Sequence, residues 1–262
     1  MSLLIDSHSH LDFSAFDEDR EEVIKRAEQA GVKWIINIGA GEELKSAQRS
    51  IELARTYPNI FATVGIHPHD AKIWNAKVRD KILELAQKPK VVAVGEIGLD
   101  FAKEYSPRDI QEKVFYEQLE LARELDLPVV IHSRNAHDRT VKILKEMKIK
   151  KAIMHCFSGS PELAKQLVKM GFFISIPGVI TFKNAKQLPE VVKTIPLEML
   201  LIETDCPFLA PEPYRGRRNE PAYVKFVAEK IAQIKDLSFE EVAQKTAQNT
   251  IKAFQLPITE QS

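Results

Sequence analysis

Cysteine, net charge and long apolar runs are what this sequence lacks. Its two cysteines, Cys156 and Cys206, are too few for the disulfide framework of a small secreted protein. No apolar stretch is long enough for a membrane-spanning helix, and the apolar opening ends at Asp6, unlike a secretory signal. Lysine plus arginine and aspartate plus glutamate number 37 each, so no overall field attracts nucleic acid or membranes. These shortages predict a cytoplasmic protein with no membrane partner.

What the sequence has instead is a series of short apolar runs separated by amphipathic or charged segments of helix length. The runs lie near residues 3, 32, 60, 91, 127, 151, 171 and 199. Strands that alternate with helices indicate an α/β protein with a parallel sheet. At 262 residues the repeat suits a closed (β/α)₈ TIM-type barrel, and a doubly wound open sheet is the alternative.

The end of the chain predicts two terminal helices between residues 221 and 254. Ser238 is placed to cap the second, and Glu241, three residues on, completes a capping box. No linker rich in proline or glycine and no change in composition divides the chain. We therefore expect a single domain over residues 1–262.

Most of the histidines and several carboxylates fall where the predicted strands end. Barrels of this class keep their catalytic groups at the C-terminal ends of the strands. In an extended strand, side chains two residues apart point to the same face, so those of His8 and His10 converge. The full set is His8, His10, His67, His69, Glu96, His132, His155, Glu203 and Asp205.

Histidines with carboxylates and no cysteine form a donor set that suits divalent metal ions. One H-x-H pair alone is more often a hydrogen-bonded pair at the surface, but this set exceeds what one catalytic ion needs. The sequence therefore predicts two ions, and Glu96 on a middle strand is placed to bridge them. Glu203 is expected beside Asp205 as a partner to a ligand or to bound water. Both cysteines are expected to point away as small buried side chains.

Longer motifs carry a resemblance to a known family over nearly the whole chain. They are HSHLD at residue 8, GIHPHD at 65, VVAVGEIGLD at 91, PVVIHSR at 128, HCFSGS at 155, ISIPGVITFKNAK at 174, LLIETDCPFLAP at 200 and RGRRNEP at 215. On these motifs the chain resembles the TatD family of metal-dependent deoxyribonucleases, which are amidohydrolase-like metal barrels. The resemblance implies hydrolysis of DNA phosphodiester bonds with magnesium, often from the 3′ end.

The resemblance also implies which residues hold the metals. One ion is expected among His8, His10, Glu96 and Asp205, and Glu96 is expected to bridge to a second ion held by His132 and His155. Imidazole ligands favour zinc or manganese, whereas magnesium prefers oxygen, so manganese and zinc stay open as alternatives.

Catalytic and substrate-binding roles follow from this arrangement. Asp205 is the best candidate to take the proton of the attacking water, with Glu96 as the other catalytic residue. Arg215 and Arg217 are expected to contact substrate phosphate, because a loop after the eighth strand often binds phosphate in such barrels. His67 is also expected to contact phosphate, because the expected ligand set is complete without it.

One stretch departs from the family pattern. After GLD the family commonly has aromatic residues suited to contacting a base, whereas here Phe101 is followed by Ala102, Lys103 and Glu104. Weaker stacking of substrate bases is therefore expected on this segment.

Two other functions compete with the nuclease. The same metals could serve a hydrolase of small amides, lactones or phosphate esters. An enzyme that acts on a neutral amide would not need the phosphate contacts expected of His67, Arg215 and Arg217. A scaffold without catalysis is disfavoured because every expected ligand is present. The expected substrate is single-stranded or frayed DNA.

Overall fold

Eight parallel strands and nine α-helices alternate in the computed structural model, which describes residues 3–258. The strands are β1 Leu4–Ser9, β2 Val32–Gly39, β3 Ile60–Val64, β4 Val91–Asp100, β5 Val129–Arg134, β6 Ala152–Met154, β7 Phe173–Ile176 and β8 Leu200–Ile202. The helices are α1 Arg20–Gln29, α2 Lys45–Thr56, α3 Ala76–Ala86, α4 Arg108–Glu124, α5 His137–Glu146, α6 Pro161–Lys169, α7 Gln187–Thr194, α8 Val224–Lys235 and α9 Phe239–Phe254.

The strands belong to one sheet in the order β1 to β8. This sequential order is that of a (β/α)₈ barrel, whereas a doubly wound sheet reverses its strand order partway. The strands are almost entirely buried, because runs rich in valine and isoleucine are covered on both faces in parallel sheets. Because the strand order does not reverse, the doubly wound alternative is wrong.

The chain divides into two compact units. The first comprises Met1–Asn37 with Cys156–Ser262, and the second comprises Ile38–His155. Within the first, β7 pairs with β8 in register from Ile174↔Leu200. Within the second, β4 pairs with β3 on one side and β5 on the other. A single domain over residues 1–262 stays a prediction.

The two terminal helices are confirmed as α8 and α9. The Ser238 hydroxyl accepts the backbone N–H of Glu241, and the Glu241 carboxylate accepts the backbone N–H of Ser238. This is the predicted capping box, and it fixes where α9 begins. Within residues 3–258, none of the helices combines the length and the apolar character that crossing a bilayer requires.

Candidate metal centre

In the first unit, three predicted ligands converge on one point. The Nε2 atoms of His8 and His10 lie 3.3 Å apart, and they lie 3.6 and 3.4 Å from Asp205 Oδ1. Both imidazoles are buried, while the Asp205 carboxylate is partly exposed. The three donor atoms therefore face one another in a largely buried site.

Backbone hydrogen bonds between the ends of β1 and β8 set this geometry. The N–H of Asp205 donates to the carbonyl of His8 at 2.9 Å, and the N–H of His10 donates to the carbonyl of Cys206 at 2.9 Å. Asp205 adopts the left-handed conformation with φ 56°, which is uncommon for a residue with a side chain. Such strain often occurs at functional sites and persists because the surroundings enforce it.

A buried aspartate supports this turn. The Asp6 carboxylate accepts the backbone N–H of Thr204 at 2.9 Å, the N–H of His8 at 3.3 Å and the Thr204 hydroxyl. Asp6 thereby ties His8 to Thr204, the residue just before Asp205. It holds no ligand position of its own in this group.

In the second unit, three imidazoles surround one oxygen of Glu96. Glu96 Oε1 lies 2.7 Å from His132 Nδ1, 2.9 Å from His155 Nε2 and 3.5 Å from His67 Nε2. Glu96 lies on β4, His132 on β5, and His155 directly follows β6. His67 was predicted to bind substrate, and it lies close enough to Glu96 and His132 for all three to offer ligands to one ion.

Sequence reasoning missed Asp100 as a member of this cluster. Its Oδ2 lies 2.9 Å from His69 Nε2 and 3.2 Å from His132 Nε2. The backbone N–H groups of Ala102 and Lys103 donate to its other oxygen. Asp100 thus holds the ring of His132 from the side opposite to Glu96, as partners of metal-binding histidines commonly do.

Burial and hydrogen bonding act in opposition on these groups. Burial alone would raise the pKa of Glu96, but His155, His67 and His132 hold that pKa well below its usual value. Burial alone would lower the pKa of His132, but its hydrogen bonds to Asp100 and Glu96 raise it. Burial lowers the pKa of His67 to about 4. Glu96 is therefore a carboxylate and His67 a neutral imidazole at pH 7.

The spacing of the donors fits a bound metal ion. Ligand bonds of roughly 2.1 Å place neighbouring donor atoms about 3.0–3.4 Å apart in octahedral or tetrahedral geometry. In the first unit the three distances between His8, His10 and Asp205 run from 3.3 to 3.6 Å. Imidazole donors suit zinc, and carboxylate donors suit manganese and magnesium.

Cys156 differs in burial from Glu203 and Cys206. Glu203 is buried, and its Oε1 accepts the backbone N–H of Cys156 at 2.7 Å. Cys206 is buried as predicted, whereas Cys156 is half-buried, which corrects the prediction for that residue. The reason is that β6 ends at Met154 and Cys156 has φ 44°, so strand alternation no longer sets its direction.

The basic loop after β8 contains three arginines with different surroundings. The Arg215 guanidinium stacks 4.2 Å from the ring centre of Phe182 and stays exposed. Arg217 is also exposed. Arg218 forms two hydrogen bonds with Asp19, of 2.8 and 2.6 Å. This ion pair fixes the position of its guanidinium.

The fold and the two ligand groups define a metal-dependent hydrolase built on a (β/α)₈ barrel. The family model described as "TatD related DNase" matches residues 5–255. The chain therefore belongs to the TatD family, whose members are hydrolases that act on ester bonds.

Two curated relatives show how similar the chain is to other family members. It is 47% identical over 256 residues to a protein of Bacillus subtilis (strain 168) named "Uncharacterized metal-dependent hydrolase YabD", covering 97% of this chain and 100% of that one. It is 39% identical over 236 residues to the "3'-5' ssDNA/RNA exonuclease TatD" of Escherichia coli (strain K12), covering 87% of this chain and 90% of that one.

A solved structure supports the fold. The chain superposes on YJJV, a TatD homologue from Escherichia coli K12, with a TM-score of 0.90 and 34% identity, covering 97% of this chain and 98% of that one. The TIM-type barrel predicted from the sequence is thereby confirmed.

Proposed function

We propose that this protein is a 3′–5′ exonuclease that removes nucleotides from single-stranded or frayed DNA with two divalent metal ions. The observation that carries the proposal is the convergence of His8, His10 and Asp205 at metal-ligand spacing. Similarity to proteins named as exonucleases for single-stranded DNA and RNA supports the choice of substrate. A cytoplasmic location is part of the proposal, because two cysteines are too few for a disulfide framework.

The proposal assigns one ion to each ligand group. His8, His10 and Asp205 would hold the first, and His132 with His155 would hold the second. Glu96 would bridge the two, as expected from the family resemblance. Manganese and zinc suit these donors, and magnesium is the ion expected from the family.

When bound, divalent ions would supply a Lewis acid for the phosphate and would lower the pKa of the attacking water. The chain's own residues perform the remaining steps. Asp205 accepts the proton of the attacking water, since its carboxylate is the least buried member of its group. His67 is neutral and donates a hydrogen bond to a phosphate oxygen. Glu203 holds the backbone at Cys156 in place.

Arg215 and Arg217 supply the positive charge that phosphate capture needs. Both are exposed on the loop after β8, and stacking on Phe182 restrains the Arg215 side chain. A pre-oriented guanidinium loses less freedom when it binds a phosphate. A strand end reaches buried ligands more easily than the middle of a stiff duplex, which favours trimming from an end.

The test is to incubate metal-free protein with a 5′-labelled single-stranded oligonucleotide and with small esters, each with magnesium, manganese and zinc. We expect a ladder of products shortened one nucleotide at a time from the 3′ end, and no ladder with Asp205→Asn. Hydrolysis of small esters without any shortening would replace the nuclease with the small-molecule hydrolase. Cleavage of closed circular single strands at the same rate would exclude an exonuclease.

A further inference from the structure

Phe208 is an exposed phenylalanine that lies next to a predicted metal ligand. Large apolar or aromatic side chains that are exposed within residues 3–258 are Tyr105, Phe208, Leu209 and Leu237. The side chain of Phe208 is 49% exposed, and its ring centre lies 6.4 Å from that of His10. The exposed ring is therefore available for a further contact beside the predicted ligand His10.

The backbone holds Phe208 firmly in this exposed position. Its N–H donates to the carbonyl of Asp205 at 2.9 Å, and its carbonyl accepts a hydrogen bond from Asn219 Nδ2 at 2.7 Å. Asn219 is buried, and its own N–H donates to the carbonyl of Pro207 at 3.0 Å. The ring is therefore presented by an ordered turn that also carries the ligand Asp205.

The neighbouring rings leave much of Phe208 uncovered. Phe13 lies 6.2 Å away at an interplanar angle of 78°, and His10 lies at an angle of 67°. Both are edge-to-face contacts, in which neither ring covers Phe208 as a parallel stacked ring would. Phe13 in turn packs on His10 at 4.7 Å. Part of the Phe208 ring is consequently open to a further aromatic group.

We infer that Phe208 is a stacking platform for one base of the single-stranded substrate, beside the phosphate that reacts at His10 and Asp205. Proteins that bind single strands stack successive bases on aromatic side chains, because every base offers a π face. This inference rests on the proposed nuclease function. It also supplies an aromatic contact in a chain that has Ala102, Lys103 and Glu104 after Phe101.

The test pairs a change in the protein with a change in the substrate. One oligodeoxyadenylate is complete, and two others lack either the 3′-terminal base or the one before it. We expect the parent to prefer the complete strand in kcat/KM by about tenfold over at least one abasic strand. Phe208→Ala should abolish that preference, mainly through KM, and Phe208→Trp should retain it.

Leu237→Ala is the matched control, because Leu237 is 37% exposed in the same unit and follows the C-terminal end of α8. It should keep the full preference. Equal loss of activity by Phe208→Ala on complete and abasic strands would show a structural role and overturn the inference. The inference would also be overturned if Tyr105→Ala, but not Phe208→Ala, removed the preference for the complete strand over the abasic strands. If the parent shortens no strand at all, the proposed function itself fails.

Discussion

Asp205 joins the segment after β8 to the end of β1 in the first unit. Its side chain faces the imidazoles of His8 and His10, and its N–H donates a hydrogen bond to the carbonyl of His8. Its backbone adopts the left-handed conformation. A substitution that keeps the size and shape of this side chain leaves these backbone contacts intact. Such a change therefore separates chemistry from folding.

Asp205→Asn should lower turnover of single-stranded DNA by at least about a hundredfold, since it removes a charged metal ligand and the proposed base together. The circular dichroism spectrum and the unfolding midpoint should match those of the parent. Activity within tenfold of the parent would rule out this role for Asp205.

His67 is proposed to contact substrate phosphate and not to bind metal. Its Nε2 lies 3.5 Å from Glu96 Oε1, yet the proposed ligand set is complete without it. His67→Ala should therefore spare metal content and reduce turnover about tenfold or more, as expected for a lost contact to a phosphate oxygen. Metal analysis and kinetics on the same preparation distinguish the outcomes. Loss of metal would make His67 a ligand, and unchanged turnover would leave it with a packing role only.

At the scale of elements, the alternation of strands and helices was predictable because it depends on local patterns. Eight apolar runs became the eight strands, and Ser238 with Glu241 marked the start of α9. The ends of strands were harder to place. The sequence predicts that the fourth strand ends at Glu96, whereas β4 continues to Asp100. Since side chains alternate with a period of two, the longer strand would have placed Asp100 on the face of Glu96.

The turn after β8 could not be predicted from alternation. β8 ends at Ile202, before Glu203 and Asp205, so strand alternation does not set the directions of these two side chains. Long-range hydrogen bonds set the direction of this turn, from Thr204 to Asp6 and from Asn219 to the carbonyls of Thr204 and Phe208. Such contacts join residues far apart in the chain, and local sequence patterns do not reveal them.

The capping box of α9 gives a prediction about stability. Ser238→Ala removes the hydroxyl that accepts the N–H of Glu241, and it should lower the free energy of unfolding by about 1 kcal/mol. Urea denaturation measures this change. Ser238→Asp, which keeps an acceptor at the cap, should restore most of the loss. Equal destabilisation by both variants would show that the cap does not contribute.

At the scale of the whole molecule, a chain with equal numbers of acidic and basic residues must bind a polyanion through local contacts. The exposed arginines Arg215 and Arg217 are available for this purpose, whereas Asp19 engages Arg218. The number of phosphate contacts determines how steeply binding falls with salt. A shallow salt dependence is therefore expected.

Arg217→Ala should reduce the logarithmic salt slope of single-strand binding by roughly 0.7, which is the share of one phosphate contact. Arg218→Ala is the control and should leave the slope unchanged, because its guanidinium is bound to Asp19. Fluorescence anisotropy across a range of salt concentrations gives both slopes. A larger effect of Arg218→Ala would show that the ion pair opens to bind DNA.

The central claim is that the two ligand groups serve a pair of ions bridged by Glu96, and metal analysis tests it most directly. Metal-free parent and Glu96→Gln are each reconstituted with manganese, freed of excess ion and analysed for manganese per chain. We predict two ions per chain in the parent and a joint loss of both in Glu96→Gln, because the proposed bridge would hold both ions. One ion in the parent, or loss of only one ion in the variant, would contradict the account.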